Sequence, residues 1–351
     1  MSKQDFRVLF VCKKRVDSYG ISFGLLNSAK MLANSLNDAG IEAAVSAVDD
    51  ANGIDRVVHL NKPTHAVIHA LWVTPAKMEE LCRKHPRVSW NIRIHSKPPF
   101  LAMEGIASDW IADYAKLQAK VKNLWMSANS CDTDDLMENV FKCKSLMLPN
   151  TYTKPYPNAA SGSPSYPSLP VDKKIVRIAC FGAIRPLKNH YAQGAAAIMY
   201  GNKCNVAVEF HVNKGREEQG GDRVTKNLRA MFAASGGHTL VEHQWYPQDV
   251  LVYDILPLMD VGMQVSLTET FNIVAADMVS AGVPTIGSPD IYWMSPLFHA
   301  DPNDLNNMVR AIGRARAFGR VGVWLNRMGL RGTNSYAIKR WETGLKTTVV
   351  I

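Results

Sequence analysis

Short apolar runs recur along the chain and are separated by stretches with helical periodicity. In the first half these runs are FRVLFVC (6–12), IEAAVSAV (41–48), HAVIHAL (65–71) and VSWNIRIHS (88–96). A continuous apolar run of this length is typical of a parallel strand that is covered on both faces. Helical patterns lie between the runs, for example LLNSAKMLANSLNDAG, which ends at Gly40. The alternation predicts an α/β fold with a doubly wound sheet.

The same alternation starts again in the second half. Its apolar runs are KIVRIACFGA (174–183), NVAVEFHVN (205–213), TLVEHQW (239–245), DVGMQVS (260–266) and VPTIGS (283–288). The intervening residues 154–170 are rich in Pro, Ser and Gly and predict a linker. We therefore expect two Rossmann-like domains facing each other across a cleft. The expected segments are a first domain (1–153), a linker (154–172), a second domain (173–332) and a C-terminal helix that packs back on the first domain (333–351).

Composition and length indicate a two-domain globular protein with a basic surface. A chain of 351 residues suits two domains, and 40 Lys and Arg against 31 Asp and Glu favour a polyanionic partner or a phosphate-bearing substrate. The sequence contains neither an apolar run of membrane-spanning length nor a secretory signal, so we expect a cytoplasmic protein without integral membrane association. Its six cysteines form no CxxC pair, which favours reduced thiols over a disulfide frame or a zinc site.

Candidate chemistry follows the predicted strands of the second half, where ligands of open parallel sheets bind. The segment FGAIRPLKNH leaves a strand through Gly182 and places Arg185 and Lys188 in the next loop. Two cations at a strand end suit a diphosphate, because arginine binds two oxygens at once and lysine acts as a point charge. The alternative is an ordinary basic surface loop.

The segment SLTETFNIVAAD also follows a strand. A helix is predicted to begin near Phe271 and to end before Gly282, and its free N–H groups at Thr270, Phe271 and Asn272 can bind phosphate. Glu269 precedes this helix, and Asp277 lies about two turns into it. We expect Asp277 to accept hydrogen bonds from a ribose diol. The alternative makes Glu269 a capping acid and Asp277 a solvated helix residue.

These motifs resemble the donor-binding domain of retaining glycosyltransferases of family 4 (group 1), a GT-B family of a type often encoded by bacteriophages. The resemblance covers residues 174–315 and includes FGAIRPLKN, the acids Glu269 and Asp277 eight positions apart, AGVPTIGS and ADPNDLNNMVRAI. The second acid is Asp where the family has Glu, Arg185 lies two positions later than the usual arginine, and Asn272 stands where the family usually has Gly.

The resemblance implies a metal-independent transferase that uses a nucleotide-diphosphate sugar, such as UDP-glucose, as co-substrate and needs no cofactor. It implies that Glu269 holds the donor sugar, that Lys188 and Arg185 hold the diphosphate, and that His95 lies near the donor sugar. YGISFGLLNSA is similar to the glycine-rich acceptor-side loop of the family, with Gly20, Ser22 and Gly24 as its candidate residues. The acidic DTDD (132–135) is interpreted as helix capping, and KGREEQGGDR (214–223) as a mobile loop lining the donor side.

The acceptor is predicted to be a hydroxymethylated base in DNA. The net charge of +9 supports this, together with five basic residues near the strand ends of the first domain: Lys13, Lys14, Arg15, Arg93 and Lys97. If phage-encoded, the protein would work in the host cytoplasm. The alternatives are transfer to a lipid-linked or cell-surface glycan, a nucleotide-sugar epimerase, and a non-catalytic module that binds nucleotide-sugar or nucleic acid.

Overall fold

A computed structural model describes residues 5–17, 20–21, 23–154 and 174–350 of the chain. The chain divides into two compact units, residues 1–153 with 333–351, and residues 154–332. Residues 155–172 of the expected linker, and Ser22, lie outside the described residues.

The first unit is built on a sheet whose long first strand, β1 (Arg7–Asp17), pairs with neighbours on both edges. Its other strands are β2 (Gly20–Ile21), β3 (Glu42–Val48), β4 (His65–His69), β5 (Ser89–Ile94), β6 (Leu124–Ala128) and β7 (Ser145–Met147). The parallel strands lie in the order β3-β1-β4-β5-β6-β7, and β2 pairs with the end of β1 in the antiparallel sense. β4 and β5 are buried along their whole length, although β5 carries the polar residues Ser89, Asn91 and Arg93.

Helices cover both faces of this sheet. They are α1 (Phe23–Asp38), α2 (Gly53–Asn61), α3 (Pro75–Lys84), α4 (Pro98–Leu101), α5 (Ala107–Lys120) and α6 (Cys131–Asp135). The core on one face contains side chains of α2, α3 and α5, and the core on the other contains α1 and Trp341 near the chain end. Trp341 packs edge-on against Phe10 of β1, with ring centroids 5.6 Å apart.

The second unit contains a five-stranded parallel sheet in the order β10-β9-β8-β11-β12. Its strands are β8 (Ile175–Ala179), β9 (Ala207–Asn213), β10 (Thr239–His243), β11 (Val261–Gln264) and β12 (Thr285–Gly287). Its helices are α7 (His190–Cys204), α8 (Gly221–Ala234), α9 (Gln248–Val250), α10 (Ile273–Ala281) and the start of α11 (Leu305–Thr347). Gly319 has φ 45° and ψ −118°, so α11 consists of two helices joined at a kink.

Each apolar run named above contains a strand, and the prediction of an α/β fold with two Rossmann-like sheets is confirmed. β6 and β7 were not predicted, because LWMSA and SLM are short and show no distinctive period. Among the described residues, no helix combines the length and apolar character needed to cross a membrane. All six cysteines are unpaired.

Candidate active site

The strand order of the second unit places two loops side by side. β8 lies between β9 and β11, so the direction of winding reverses between β8 and β11. In open α/β sheets the crevice at such a reversal, outside the carboxyl ends of the strands, is the usual ligand site. The loop that contains Gly182 and Lys188 leaves β8, and the loop that contains Glu269 leaves β11.

Local backbone chemistry shapes the loop after β8. Gly182 has φ 118°, a conformation that favours glycine, and its N–H donates to Asn213 Oδ1 at 2.8 Å. A 3₁₀ turn (Pro186–Lys188) follows, and Asn189 continues in a left-handed conformation. The Asn189 amide donates to the carbonyls of Val265 and Pro302 at 3.2 and 2.9 Å. This side chain therefore ties the loop after β8 to the loop after β11.

The buried Gln193 on α7 also connects the loop after β8 to the loop after β11. Its amide nitrogen donates to the carbonyl of Lys188, and its amide oxygen accepts from the N–H of Val265, both at 2.8 Å. Sequence reasoning missed Asn189 and Gln193 as site residues. Their polar side chains on a largely apolar helix start were the available signal.

The two loops bring Lys188 to Glu269. Lys188 Nζ donates to Glu269 Oε1. Ser266 Oγ donates to the same oxygen at 3.0 Å, and the Glu269 N–H is held by Asp290 Oδ2 at 2.9 Å. Among the described residues, both side-chain hydrogen bonds to this carboxylate reach Oε1 rather than Oε2. Burial lowers the pKa of Lys188 from its ordinary value, and the charge of Glu269 opposes this shift.

Arg185 lies on the other side of the same loop. Its guanidinium donates to Glu218 Oε2 at 3.2 Å, and Arg216 donates to Glu218 Oε1 at 2.8 Å. The 214–223 segment was expected to be a mobile loop. Two main-chain hydrogen bonds join it to the loop after β8, since Ile184 accepts from the Glu218 N–H and donates to the Arg216 carbonyl. Arg216, which sequence reasoning missed, thus adds a cation beside Arg185.

The helix after Glu269 begins two residues later than predicted. α10 starts at Ile273, and Asn272 is its N-cap, with Oδ1 accepting from the Ala275 N–H at 2.9 Å. Asn272 has φ 57°, a left-handed conformation that glycine and asparagine adopt most readily, which accounts for Asn at this position. The Phe271 side chain is buried against Trp293, so only its main chain can face a ligand. Thr270 precedes the cap.

Asp277 lies within α10, and its side chain is buried rather than solvated. Its Oδ1 accepts from Gln248 Nε2 at 2.9 Å. Gln248 opens the short helix α9, which follows β10, and was not identified from the sequence. The alternative of a solvated helix residue is therefore wrong.

In the first unit, His95 follows β5 and His69 ends β4. His95 Nε2 and His69 Nδ1 are 3.0 Å apart and share a hydrogen bond. Burial lowers the pKa of both rings well below the usual histidine value, and the nearby Arg93 charge lowers it further. Both rings are therefore neutral at physiological pH.

Three of the five basic residues cited for a polyanionic acceptor make contacts within the first unit, Lys13 is exposed, and the side chain of Arg15 lies outside what the structure describes. Arg93 was expected among the basic residues that meet a polyanionic acceptor, but it is fully buried and donates to the Leu148 carbonyl and Asn150 Oδ1, so it cannot contact one. Lys97 pairs with Asp132 at 2.8 Å, and Lys14 with Asp49 at 3.4 Å. Asp132 belongs to the DTDD segment, which forms α6.

The expected glycine-rich loop is more regular than predicted. Gly20 belongs to β2 and pairs with Asp17, while Gly24 lies in the first turn of α1. A Cβ atom at Gly24 would meet no heavy atom within 4 Å, so space remains open beside it.

A separate pocket of about 220 Å³ lies beside Pro186 and is lined by residues of α8, including Arg223 and Asn227. Neither Lys188, Glu269 nor Asp277 lines it. It is also smaller than the clefts that usually enclose ligands of nucleotide-sugar size. Across the described part of the chain, no cluster of three or more His, Cys, Asp or Glu could hold a metal ion.

Comparison with known proteins gives no match to a family model and none to a curated protein. Solved structures do match in fold. A UDP-forming α,α-trehalose-phosphate synthase from Burkholderia xenovorans has 12% identity and a TM-score of 0.67, covering 99% of this chain and 100% of its own. Sucrose-phosphate synthase from Thermosynechococcus elongatus has 12% identity and a TM-score of 0.66, covering 97% and 98%. An Escherichia coli structure bound with UDP-2-fluoro glucose has 12% identity and a TM-score of 0.63, covering 98% and 99%. The expected GT-B fold is confirmed.

Proposed function

We propose that this protein is a retaining glycosyltransferase that moves a sugar from a nucleotide-diphosphate sugar to a hydroxyl acceptor. The observation that carries the proposal is the Lys188–Glu269 pair at the sheet's reversal point, directly before the start of α10. One cation, one carboxylate and the N–H groups of a helix start suit a sugar diphosphate better than a dinucleotide, because no Gly-x-Gly-x-x-Gly sequence follows β8.

In the proposed reaction, the bond between the anomeric carbon and the diphosphate oxygen breaks, and negative charge develops on the leaving diphosphate. Lys188, Arg185 and the N–H groups at Thr270–Asn272 stabilise that charge. Glu269 Oε2 accepts from a donor sugar hydroxyl, and Asp277 accepts from the ribose. The acceptor oxygen attacks the same face, and the departing phosphate takes its proton, which yields retention without a covalent enzyme intermediate.

A UDP-sugar is the proposed donor. The fold neighbours support this choice, since one is named UDP-forming and another is bound with UDP-2-fluoro glucose. His95 is proposed to contact the donor sugar as a neutral ring, consistent with its lowered pKa. The reaction is proposed to need no metal, because Lys188 and the helix start supply the positive charge.

For the acceptor, the hydroxymethylated DNA base stays a prediction carried by the net charge of +9. A lipid-linked or cell-surface glycan is the second candidate. It is favoured by the engagement of Arg93, Lys97 and Lys14 within the first unit, which reduces the basic surface available for DNA.

The direct test is slow hydrolysis of a UDP-sugar without acceptor, followed by transfer assays with labelled donor. We expect hydrolysis by the wild type and its loss in Lys188→Ala. A chain that is stabilised by UDP-sugar against heating but never hydrolyses it would be a binding module, and the transferase proposal would be wrong. Hydroxymethylated DNA, plain DNA and glycolipid vesicles, offered in parallel, decide the acceptor.

A further inference from the structure

An apolar stripe faces solvent on the part of α11 that belongs to the second unit. Val321, Trp324 and Met328 recur at intervals of three and four residues, which places them on one helix face. Phe318 precedes the kink, and Leu297 lies in the neighbouring turn Pro296–Phe298. We call these five residues the apolar stripe. Their exposed fractions are Leu297 51%, Phe318 44%, Val321 56%, Trp324 57% and Met328 49%.

The opposite face of the helix is packed, so the stripe cannot turn inward. Val323 and Leu330 are buried. A Cβ atom on Gly322 would come within 2.7 Å of the Phe298 ring, and one on Gly329 within 2.0 Å of the Trp293 carbonyl oxygen. The two glycines let the helix approach the 293–298 segment closely, and this contact fixes the stripe toward solvent.

The same stretch is strongly basic. Residues 305–332 contain no Asp or Glu and include the arginines Arg310, Arg314, Arg316, Arg320, Arg327 and Arg331. Arg314 and Arg327 donate to main-chain carbonyls, which accept the hydrogen bonds without cancelling the charge. Arg320 and Arg331 are exposed, and helical geometry places both on the flank of the stripe nearest Trp324, about 16 Å apart along the axis.

We propose that this surface docks the protein on an anionic lipid bilayer. Large apolar side chains enter the acyl boundary, Trp324 lies at the headgroup level, and the arginines meet lipid phosphates. Apolar insertion and electrostatic attraction together give the two signals that stable peripheral membrane binding requires. The association is peripheral, since no described helix is able to cross a bilayer.

Two other partners fit the surface less well. A symmetric second copy would place the same arginines near one another, and their repulsion opposes that contact. Duplex nucleic acid would satisfy the arginines but would leave Leu297, Val321 and Met328 against phosphates and sugars. The lipid surface is the partner that uses both the aliphatic and the cationic groups.

The test is vesicle flotation of the full chain, which does not depend on glycosyl transfer. Vesicles of phosphatidylcholine with about 30% phosphatidylglycerol should carry the wild type at low salt, and pure phosphatidylcholine should carry far less. Two paired variants, Trp324→Ser with Met328→Ser and Arg320→Gln with Arg331→Gln, should each lower the partition coefficient by about tenfold or more. Leu60→Ser, at a position 66% exposed on α2, and Lys203→Gln with Lys226→Gln are the matched controls and should bind like the wild type.

A spectroscopic readout locates the contact. Brominated lipids should quench part of the fluorescence of the eight tryptophans, and Trp324→Phe should remove that part while binding persists. The proposal is wrong if the wild type ignores anionic vesicles at low salt or if the stripe variants bind like the controls. It is equally wrong if the arginine variants lose duplex DNA binding instead, or if the stripe variants only abolish self-association. A wild type that hydrolyses UDP-sugar but does not bind anionic vesicles would overturn this inference and leave the proposed function standing.

Discussion

Lys188 and Glu269 lie 81 positions apart in the sequence and form an ion pair whose side chains are 14% and 8% exposed. The pair exists because β8 and β11 are neighbours in the sheet and because Asn189 and Gln193 hold the two following loops together. Because this ion pair is shielded from water, the stability contribution of each charge depends on the other. Removing one partner leaves the other charge without compensation.

The first prediction is a coupling energy between these residues. Lys188→Met and Glu269→Gln should each destabilise the second unit by about 1–3 kcal/mol, because each leaves an uncompensated charge in a largely buried place. The double variant should lose less than the sum, with a coupling of about 1 kcal/mol or more. Denaturant titrations of the four proteins measure this difference, and strictly additive losses would contradict the pairing.

The second prediction concerns turnover. Lys188→Ala should lower kcat by about 10²–10³-fold, because a preorganised positive charge no longer meets the leaving diphosphate. Lys203→Ala, at an exposed position on α7, is the control and should keep the wild-type rate. Steady-state kinetics with purified proteins of matched thermal stability provide the comparison. A wild-type rate in Lys188→Ala would remove this residue from the proposed mechanism.

The third prediction separates binding from chemistry at Asp277. Ribose contacts are similar in the ground and transition states, so Asp277→Asn should raise KM for the donor more than it lowers kcat. Gln248→Ala should shift KM in the same direction by less, since Gln248 positions the Asp277 carboxylate. A large loss of kcat at saturating donor with unchanged KM would refute the ribose role.

The fourth prediction concerns the pH dependence of the rate. An ordinary histidine gains a proton as pH falls through about 6.5. His95 and His69 have pKa values well below that range because of burial and Arg93, so both rings stay neutral. Between about pH 6 and 8, kcat/KM should therefore show no decrease on the acid side that depends on His95. The pH profiles of the wild type and His95→Gln should have the same shape in this range. An acid limb near pH 6.5 that disappears in this variant would contradict the assignment of a neutral ring.

The fifth prediction concerns stability in acid. His65 is buried, its Nε2–H donates to the Leu345 carbonyl at 3.1 Å, and burial lowers its pKa from 6.5 to about 4. The unfolded chain therefore binds a proton that the folded chain does not bind between those two values. Folding stability should fall as pH drops from about 6.5 toward 4, by about 2 kcal/mol at pH 5 from this group alone.

His65→Gln tests the contribution of this one ring, because glutamine keeps a donor but does not titrate. Its melting temperature should depend less steeply on pH between about 7 and 5 than that of the wild type. An equal slope in both proteins would show that His65 does not bind the proton in question.

The sequence by itself determined the strand pattern and the chemistry at the strand ends of the second half. Short, mostly apolar runs such as HAVIHAL alternate with helical stretches, and this alternation is typical of a parallel sheet covered on both faces, so fold class follows from the local pattern. The position of Lys188 and Glu269 after β8 and β11 follows in the same way, because ligands of such sheets bind beyond the strand ends.

Tertiary structure alone decided which polar groups meet. The polar character of Asn189 and Gln193 is visible in the sequence, but their partners are not, and nothing local marks Gln248 or Arg216. Each of the four gains its role from a contact with a distant part of the chain or with a neighbouring loop. Burial is also a property of the assembled unit. Arg93 carries a charge, yet β4, β6 and the end of α11 enclose it, while the large apolar Trp324 faces solvent. The physical reason is that the free-energy cost of burying a side chain depends on whether the surrounding residues supply its hydrogen bonds and apolar contacts. Those residues come from distant parts of the chain.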